Sequence, residues 1–222
     1  MYGLKTTIVS DYEVDSQDTY LQSHVGLLRR INAARAATTL LALLMGLVVV
    51  GVAANSIQVY NATHLSLSAN MAWLSLWPSS DAFDSRPTIA LVVGASLVVL
   101  CNVVALSSHH PKLARAHTPL TFVAPFVGLV AAIIAIAFFY AINRSTTADT
   151  LLSWSCRWRN VTLSGRPHFA TLCRTSHAGV YLAILLIPVE AAALGLAGWQ
   201  LKLRRFVLAY SQARKTPSPA LS

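Results

Sequence analysis

Residues 154–173 read Trp154-Ser-Cys-Arg-Trp158-Arg-Asn160-Val-Thr162-Leu-Ser-Gly-Arg-Pro-His168-Phe-Ala-Thr-Leu-Cys173. This polar stretch holds two of the three cysteines and two of the five tryptophans. It also contains Asn160-Val-Thr162, which has the form of an N-glycosylation acceptor. Cysteine pairs and sequons have a use where oxidising and glycosylating machinery reaches them, on the lumenal or exterior side of a membrane. Once this stretch is assigned to that side, the side of every other polar segment follows by counting crossings.

The crossings lie in four apolar runs, at about residues 36–54, 88–106, 120–141 and 179–201. Each is about twenty residues long with few or no charges, and roughly 20 apolar residues at 1.5 Å each span a 30 Å hydrocarbon core. A soluble helical bundle would carry a polar stripe every three or four residues, and these runs carry none. The composition agrees: 55% of the chain is hydrophobic, only 11% is charged, and the mean hydropathy is +0.56. The expected fold is therefore an all-α bundle of four transmembrane helices. Loops at 55–87 and 142–178 would be external and the loop at 107–119 cytosolic. An N-terminal segment, 1–35, and a basic tail, 202–222, would both be cytosolic.

The distribution of charge supports that orientation and argues against nucleic acid as the partner of a chain with net charge +9. Lys5, Arg29, Arg30, Arg35, Lys112, Arg115, Lys202, Arg204, Arg205, Arg214 and Lys215 fall on the proposed cytosolic side, beside the apolar runs for the most part. Arg86, Arg144, Arg157, Arg159, Arg166 and Arg174 fall on the other. This is the positive-inside bias, weakened by five arginines in one external loop. Lys202, Arg204 and Arg205 follow the fourth run directly and suit anionic inner-leaflet lipid.

Cys101 lies inside the second run, so Cys156 and Cys173 are the pair left for a disulfide that closes the second external loop. Asn61-Ala-Thr63 in the first loop is a second candidate sequon beside Asn160, and Asn143-Arg-Ser145 lies too close to the membrane end to suit modification. The alternation Leu65-Ser-Leu-Ser68 suggests a short strand. Val52-Ala-Ala54 resembles a signal-cleavage site, an alternative to retention of the first run as an anchor. His109, His110 and His117 match no zinc-ligand spacing.

Glu190 is the residue that costs most. It sits near the middle of the fourth run, two positions after Pro188, where an isolated acid costs about 3 kcal/mol on insertion scales. It should face the other helices, and Ser96 and Asn102 of the second run lie within about a turn of its depth. One reading is a polar tie between helices; the alternative is a proton or cation relay.

Trp154-Ser-Cys-Arg-Trp158, Phe169-Ala-Thr-Leu-Cys173 and Ile187-Pro-Val-Glu190 together resemble a pattern in four-span membrane proteins of filamentous fungi, similar in layout to MARVEL-type tetraspan proteins. The resemblance covers mainly residues 150–200. It implies an integral membrane protein with cytosolic termini, and it carries over no catalytic residue. No catalytic constellation, phosphate-cradling glycine loop, metal site or cofactor motif stands out. The expectation is a non-enzymatic protein of the plasma membrane or secretory pathway that organises membrane or binds a membrane-protein partner, or a second copy of itself, through its external loops. The alternative is a small transporter or channel subunit that uses Glu190.

Overall fold

The computed structural model describes residues 6–70, 77–78, 82–107, 117–144, 148–161 and 167–215, with side chains placed over 26–64, 77–78, 82–107, 122–144, 148–161 and 167–207. Helix α1 covers Thr6–Asn70, α2 Arg86–Ser107, α3 His117–Asn143, α4 Leu151–Arg157 and α5 Phe169–Lys215, with two-residue strands β1 at Phe83–Asp84 and β2 at Asp149–Thr150. Four of these helices contain spans long and apolar enough to cross a membrane: Gly26–His64, Arg86–Ser107, Phe122–Asn143 and Phe169–Val207. Backbone groups find no water in hydrocarbon, which is why every span is continuous helix. The chain is an all-α integral membrane protein.

Two helices extend well beyond the apolar runs that nucleate them. α1 has 65 residues and α5 has 47. The Leu65–Ser68 alternation that suggests a strand falls inside α1. No neighbouring strand reaches it among the described residues, and an intrahelical ladder satisfies its backbone without one. Much of the expected first loop is accordingly helix.

The chain forms two compact units, 38–194 and 1–37 with 195–222. In the larger, side chains from α1, α2, α3 and α5 meet in stacked layers. One holds Val49, Leu91, Ala95, Phe139, Val180 and Ala183, and the next holds Ala42, Val98, Ala132 and Leu186. Around them lies the apolar belt that lipid would cover: Leu44, Val93, Leu100, Ile134 and Leu185 are each more than 40% exposed. Such exposure would be a liability in water and is ordinary against acyl chains.

In lipid no hydrophobic effect drives one apolar helix onto another, so close packing must do it. Three glycines permit it. A Cβ on Gly94 of α2 would collide with the Cβ of Ala135 on α3 and lie 3.3 Å from the Ala131 carbonyl oxygen. One on Gly46 of α1 would lie 2.9 Å from Val99 Cγ2 of α2, and one on Gly179 of α5 would lie 3.3 Å from Val52 Cγ1 of α1.

In the smaller unit, Arg35 Nη1 donates to Gln200 Oε1 at 2.6 Å, and Gln200 Nε2 donates to Asn32 Oδ1 at 3.5 Å. Arg35 is only 3% exposed. It is a buried cation that ties α1 to α5, a role hidden behind its place among the flanking positive charges. Lys202, Arg204 and Arg205 are exposed on the continuation of α5.

Gly94→Ala should destabilise the purified protein by about 1–3 kcal/mol, since two backbones must separate. Gly198→Ala, with nothing within 4 Å of its added Cβ, should be neutral or stabilising by a few tenths to about 1 kcal/mol. Denaturation in detergent, followed by far-UV circular dichroism, reads both; equal behaviour of the two would remove the close α2–α3 contact.

Candidate functional site

Two places in the larger unit combine polar chemistry with a built environment: a cap, where both segments expected to be external come together, and a polar layer within the spans.

The cap begins with backbone. β1 pairs with β2 in parallel, Phe83 opposite Asp149 and Asp84 opposite Thr150, and Asp149 N donates to Ala82 O at 2.8 Å. The segment between α1 and α2 is thereby joined to the one between α3 and α4. Thr150 then caps α4. Its hydroxyl accepts from Ser153 N at 3.2 Å, Ser153 Oγ accepts from Thr150 N at 2.8 Å, and Thr150 Oγ1 donates to Asn143 Oδ1 at 2.6 Å. This reciprocal box satisfies donors that a short helix would otherwise leave open. Asn143, formally the third sequon, is thus engaged as an acceptor.

Aromatic side chains fill the space beneath. Trp77, 3% exposed, packs among Leu151, Phe169 and Leu172, with Tyr60 and Phe83 against them. Its ring meets Tyr60 edge-on at 4.9 Å, Phe83 at 5.6 Å and Phe169 at 5.5 Å, while Tyr60 stacks on Phe83 at 4.6 Å. Such pairs contribute about 0.5–1.5 kcal/mol each beyond the area they bury. The indole N–H of Trp77 donates to Thr63 Oγ1 at 2.9 Å, and that hydroxyl donates to Val59 O at 2.7 Å. Trp77, which lies just outside the apolar runs in sequence, is the centre of a core. The Asn61 sequon sits on the helical extension of α1, its Thr63 buried, where a loop was expected.

Cys156 of α4 and Cys173 of α5 form a disulfide with Cα atoms 4.9 Å apart. Closing a loop with a separation of 17 residues contributes roughly 3 kcal/mol by chain entropy. Arg157 holds Asp149 with two contacts, Nη1 to Oδ2 at 3.1 Å and Nη2 to Oδ1 at 3.0 Å, and its guanidinium lies over the Trp154 ring. Trp158, Arg159, Asn160, Arg174 and His177 face outward. His177 offers a ring nitrogen within 4.8 Å of the Cys156 and Cys173 sulfurs, but sulfurs bonded to each other are not thiolate ligands, so the oxidised cap has no metal-binding set there.

The second place is the polar layer. Glu190 is fully buried. Its Oε1 accepts from Asn102 Nδ2 at 2.6 Å, and the same amide nitrogen donates to Val98 O at 2.9 Å. The carboxyl lies against Gly128 of α3, where an added Cβ would stand 3.2 Å from Cδ and Oε2. Oε2 is buried without a hydrogen-bond partner. The carboxyl thus joins three helices: it is carried by α5, bonded by α2 and given space by α3. Ser96 is half-buried and takes no part in this contact. Gly128 is the functional neighbour that spacing does not reveal, since a glycine in an apolar helix carries no sign of the carboxyl it accommodates. Cys101 is a free thiol, partly buried. The histidine side chains at 109, 110 and 117 lie outside the described residues.

No family model, curated protein or solved structure matches the chain.

Chemically, the cap is a rigid display and the polar layer is a tie with one oxygen to spare. Trp77→Phe keeps the ring and loses the bond to Thr63, so it should cost about 1 kcal/mol, against roughly 3–5 for Trp77→Ala. Asn61→Gln, which spares Thr63, should leave stability unchanged; thermal unfolding monitored by tryptophan fluorescence separates the three.

In the layer, Asn102→Ala leaves the carboxyl without its donor and should cost about 1–3 kcal/mol, whereas Glu190→Gln keeps an acceptor for Asn102 and should cost less. The double variant Asn102→Ala with Glu190→Ala should cost less than the sum of its parts. Strict additivity in the same unfolding assay would mean that the two side chains do not interact.

Proposed function

We propose that the protein is a non-enzymatic four-span membrane protein that holds a braced cap outside the membrane, both termini cytosolic, as a docking element for a membrane partner. The observation that carries this reading is the interlocking of both inter-span segments at one end. A parallel bridge, a buried indole hydrogen bond and a disulfide hold exposed Trp158, Arg159 and Arg174 in a fixed relation. Partners are recognised at lower entropic cost by surfaces already ordered, and exposed tryptophan and arginine are the side chains that most often dominate such contacts. A disulfide suits an oxidising compartment, and the basic extension of α5 suits the cytosolic leaflet.

The test places a photo-crosslinking amino acid at Trp158, with Leu100 on the lipid-facing side of α2 as control. A discrete adduct at 158, absent at 100 and lost in a Cys156→Ser/Cys173→Ser variant that still inserts, supports a partner docked on the cap. Its mass separates a second copy of the chain from a different protein. Equal adducts at both positions would overturn the reading.

A second reading, a transporter or channel subunit, is favoured by one observation: the unpartnered Oε2 of Glu190 in the middle of the spans. Intramembrane acids mark ion pathways more often than chance allows. Against it, a carboxyl with no solvent exposure needs a conformational opening before it can exchange a proton. Proton flux in proteoliposomes that disappears in Glu190→Gln, with folding unchanged, would replace the docking reading with this one. Flux indifferent to that substitution removes it.

A further inference from the structure

The outward face of the cap contains a groove of about 590 Å³ between the end of α4 and the first turns of α5. Cys156, Arg159 and Asn160 form one wall. Arg174, His177 and Tyr181 project from α5 on the other, spaced three and four residues apart and therefore on one helix face. Ala170 and Ala178 leave the floor open, and the disulfide fixes the two walls to each other.

Charge in the cap is unevenly matched. Arg157 is held by Asp149, and Arg86 lies 4.0 Å from Asp84. Among the described residues, Arg159 and Arg174 have no acidic partner, both are exposed, and they border the same groove. Two guanidiniums and an amide side chain form a donor set suited to phosphate oxygens.

The groove also has a direction. His177 stacks on Tyr181 at 6.0 Å, and Tyr181 is 61% exposed just inside the apolar part of α5. Leu185, one turn further on the same face, is 54% exposed. A ligand seated between the arginines therefore meets polar donors at one end and an apolar, lipid-facing helix at the other. An interfacial tyrosine marks the boundary between the two. A free phosphate or an acidic sugar would use only the upper half.

We propose that this groove binds the headgroup of an anionic phospholipid from the adjacent leaflet, its phosphate between Arg159 and Arg174 and its acyl chains along Tyr181 and Leu185. The assignment goes beyond docking of a protein partner and does not depend on it. The site would hold a lipid whichever side of the membrane the cap occupies.

Full-length, unglycosylated protein in detergent is titrated with phosphatidylserine, and with phosphatidylcholine for comparison, and bound lipid is counted by native mass spectrometry. A glycan on Asn160 would stand at the mouth of the groove, hence the unglycosylated form. One saturable, phosphatidylserine-selective site is expected. Arg159→Gln with Arg174→Gln should weaken it by roughly thirty-fold, two basic groups near an anionic surface being removed. A variant carrying Lys202→Gln, Arg204→Gln and Arg205→Gln should leave that site intact and lose only weaker binding. Ala178→Trp fills the floor without altering charge and should also abolish the site, which keeps the proposal testable if the arginine variant fails to fold. A wild-type unfolding midpoint in detergent, followed by far-UV circular dichroism, checks folding in each variant. Unchanged affinity in both the arginine and Ala178→Trp variants, or loss confined to the tail variant, would overturn the proposal. Equal competition by inorganic phosphate or a sulfated oligosaccharide would overturn the lipid assignment and leave a simple anion site.

Discussion

A leucine gains almost nothing by leaving acyl chains for another leucine, and the spans of this protein are built around that constraint. Their association rests on backbone proximity and on a few polar ties. Gly94 lets α2 meet α3 where even a methyl group would collide, and Gly46 and Gly179 bring α1 to α2 and to α5. Glu190 adds a hydrogen bond from α5 to Asn102 and fits the space left by Gly128. Glycine, which at those three positions permits close packing, at Gly128 accommodates a carboxyl. Small residues and the buried acid are therefore parts of one packing solution.

At the cap the constraint reverses. Outside hydrocarbon, water again drives aromatic surface together, and the chain responds with a small conventional core around Trp77. Unpaired backbone there can pair across segments, as β1 and β2 do, where inside the bilayer it had to remain helical. The disulfide joins α4 to α5.

The spans were legible because their signal is compositional: about twenty apolar residues admit few alternatives. α2, bounded in sequence by Arg86 and Ser107, differs from its apolar run by a residue or two at each end. The disulfide was legible by elimination, with Cys101 inside a span. The extensions of α1 and α5 were not, because polar sequence such as Leu65–Ser68 is compatible with loop, strand or helix, and tertiary context decides. The core around Trp77 was not legible because its partners, Tyr60, Phe83 and Phe169, are scattered over more than a hundred residues of sequence. Arg35 was hidden by its company: beside Arg29 and Arg30 it counts as flanking charge, and only the approach of Gln200 identifies it as buried. In the polar layer, depth counting could place Ser96 and Asn102 near Glu190, but helix rotation selects between them, and rotation is set by packing.

The two-residue bridge between Phe83 and Asp149 carries a consequence for biogenesis. Its strands are contributed by segments on either side of the α2–α3 pair, so it cannot close until both of those helices have been threaded and have returned the chain to the same face. The Cys156–Cys173 link, by contrast, needs only α4 and the start of α5. A nascent chain that misplaced α2 or α3 could therefore acquire its cystine and still leave Trp77, Tyr60 and Phe83 without their core. Completion of the cap core therefore requires all four long helices, since Tyr60 comes from α1, the bridge from the segments flanking the α2–α3 pair, and Phe169 from α5.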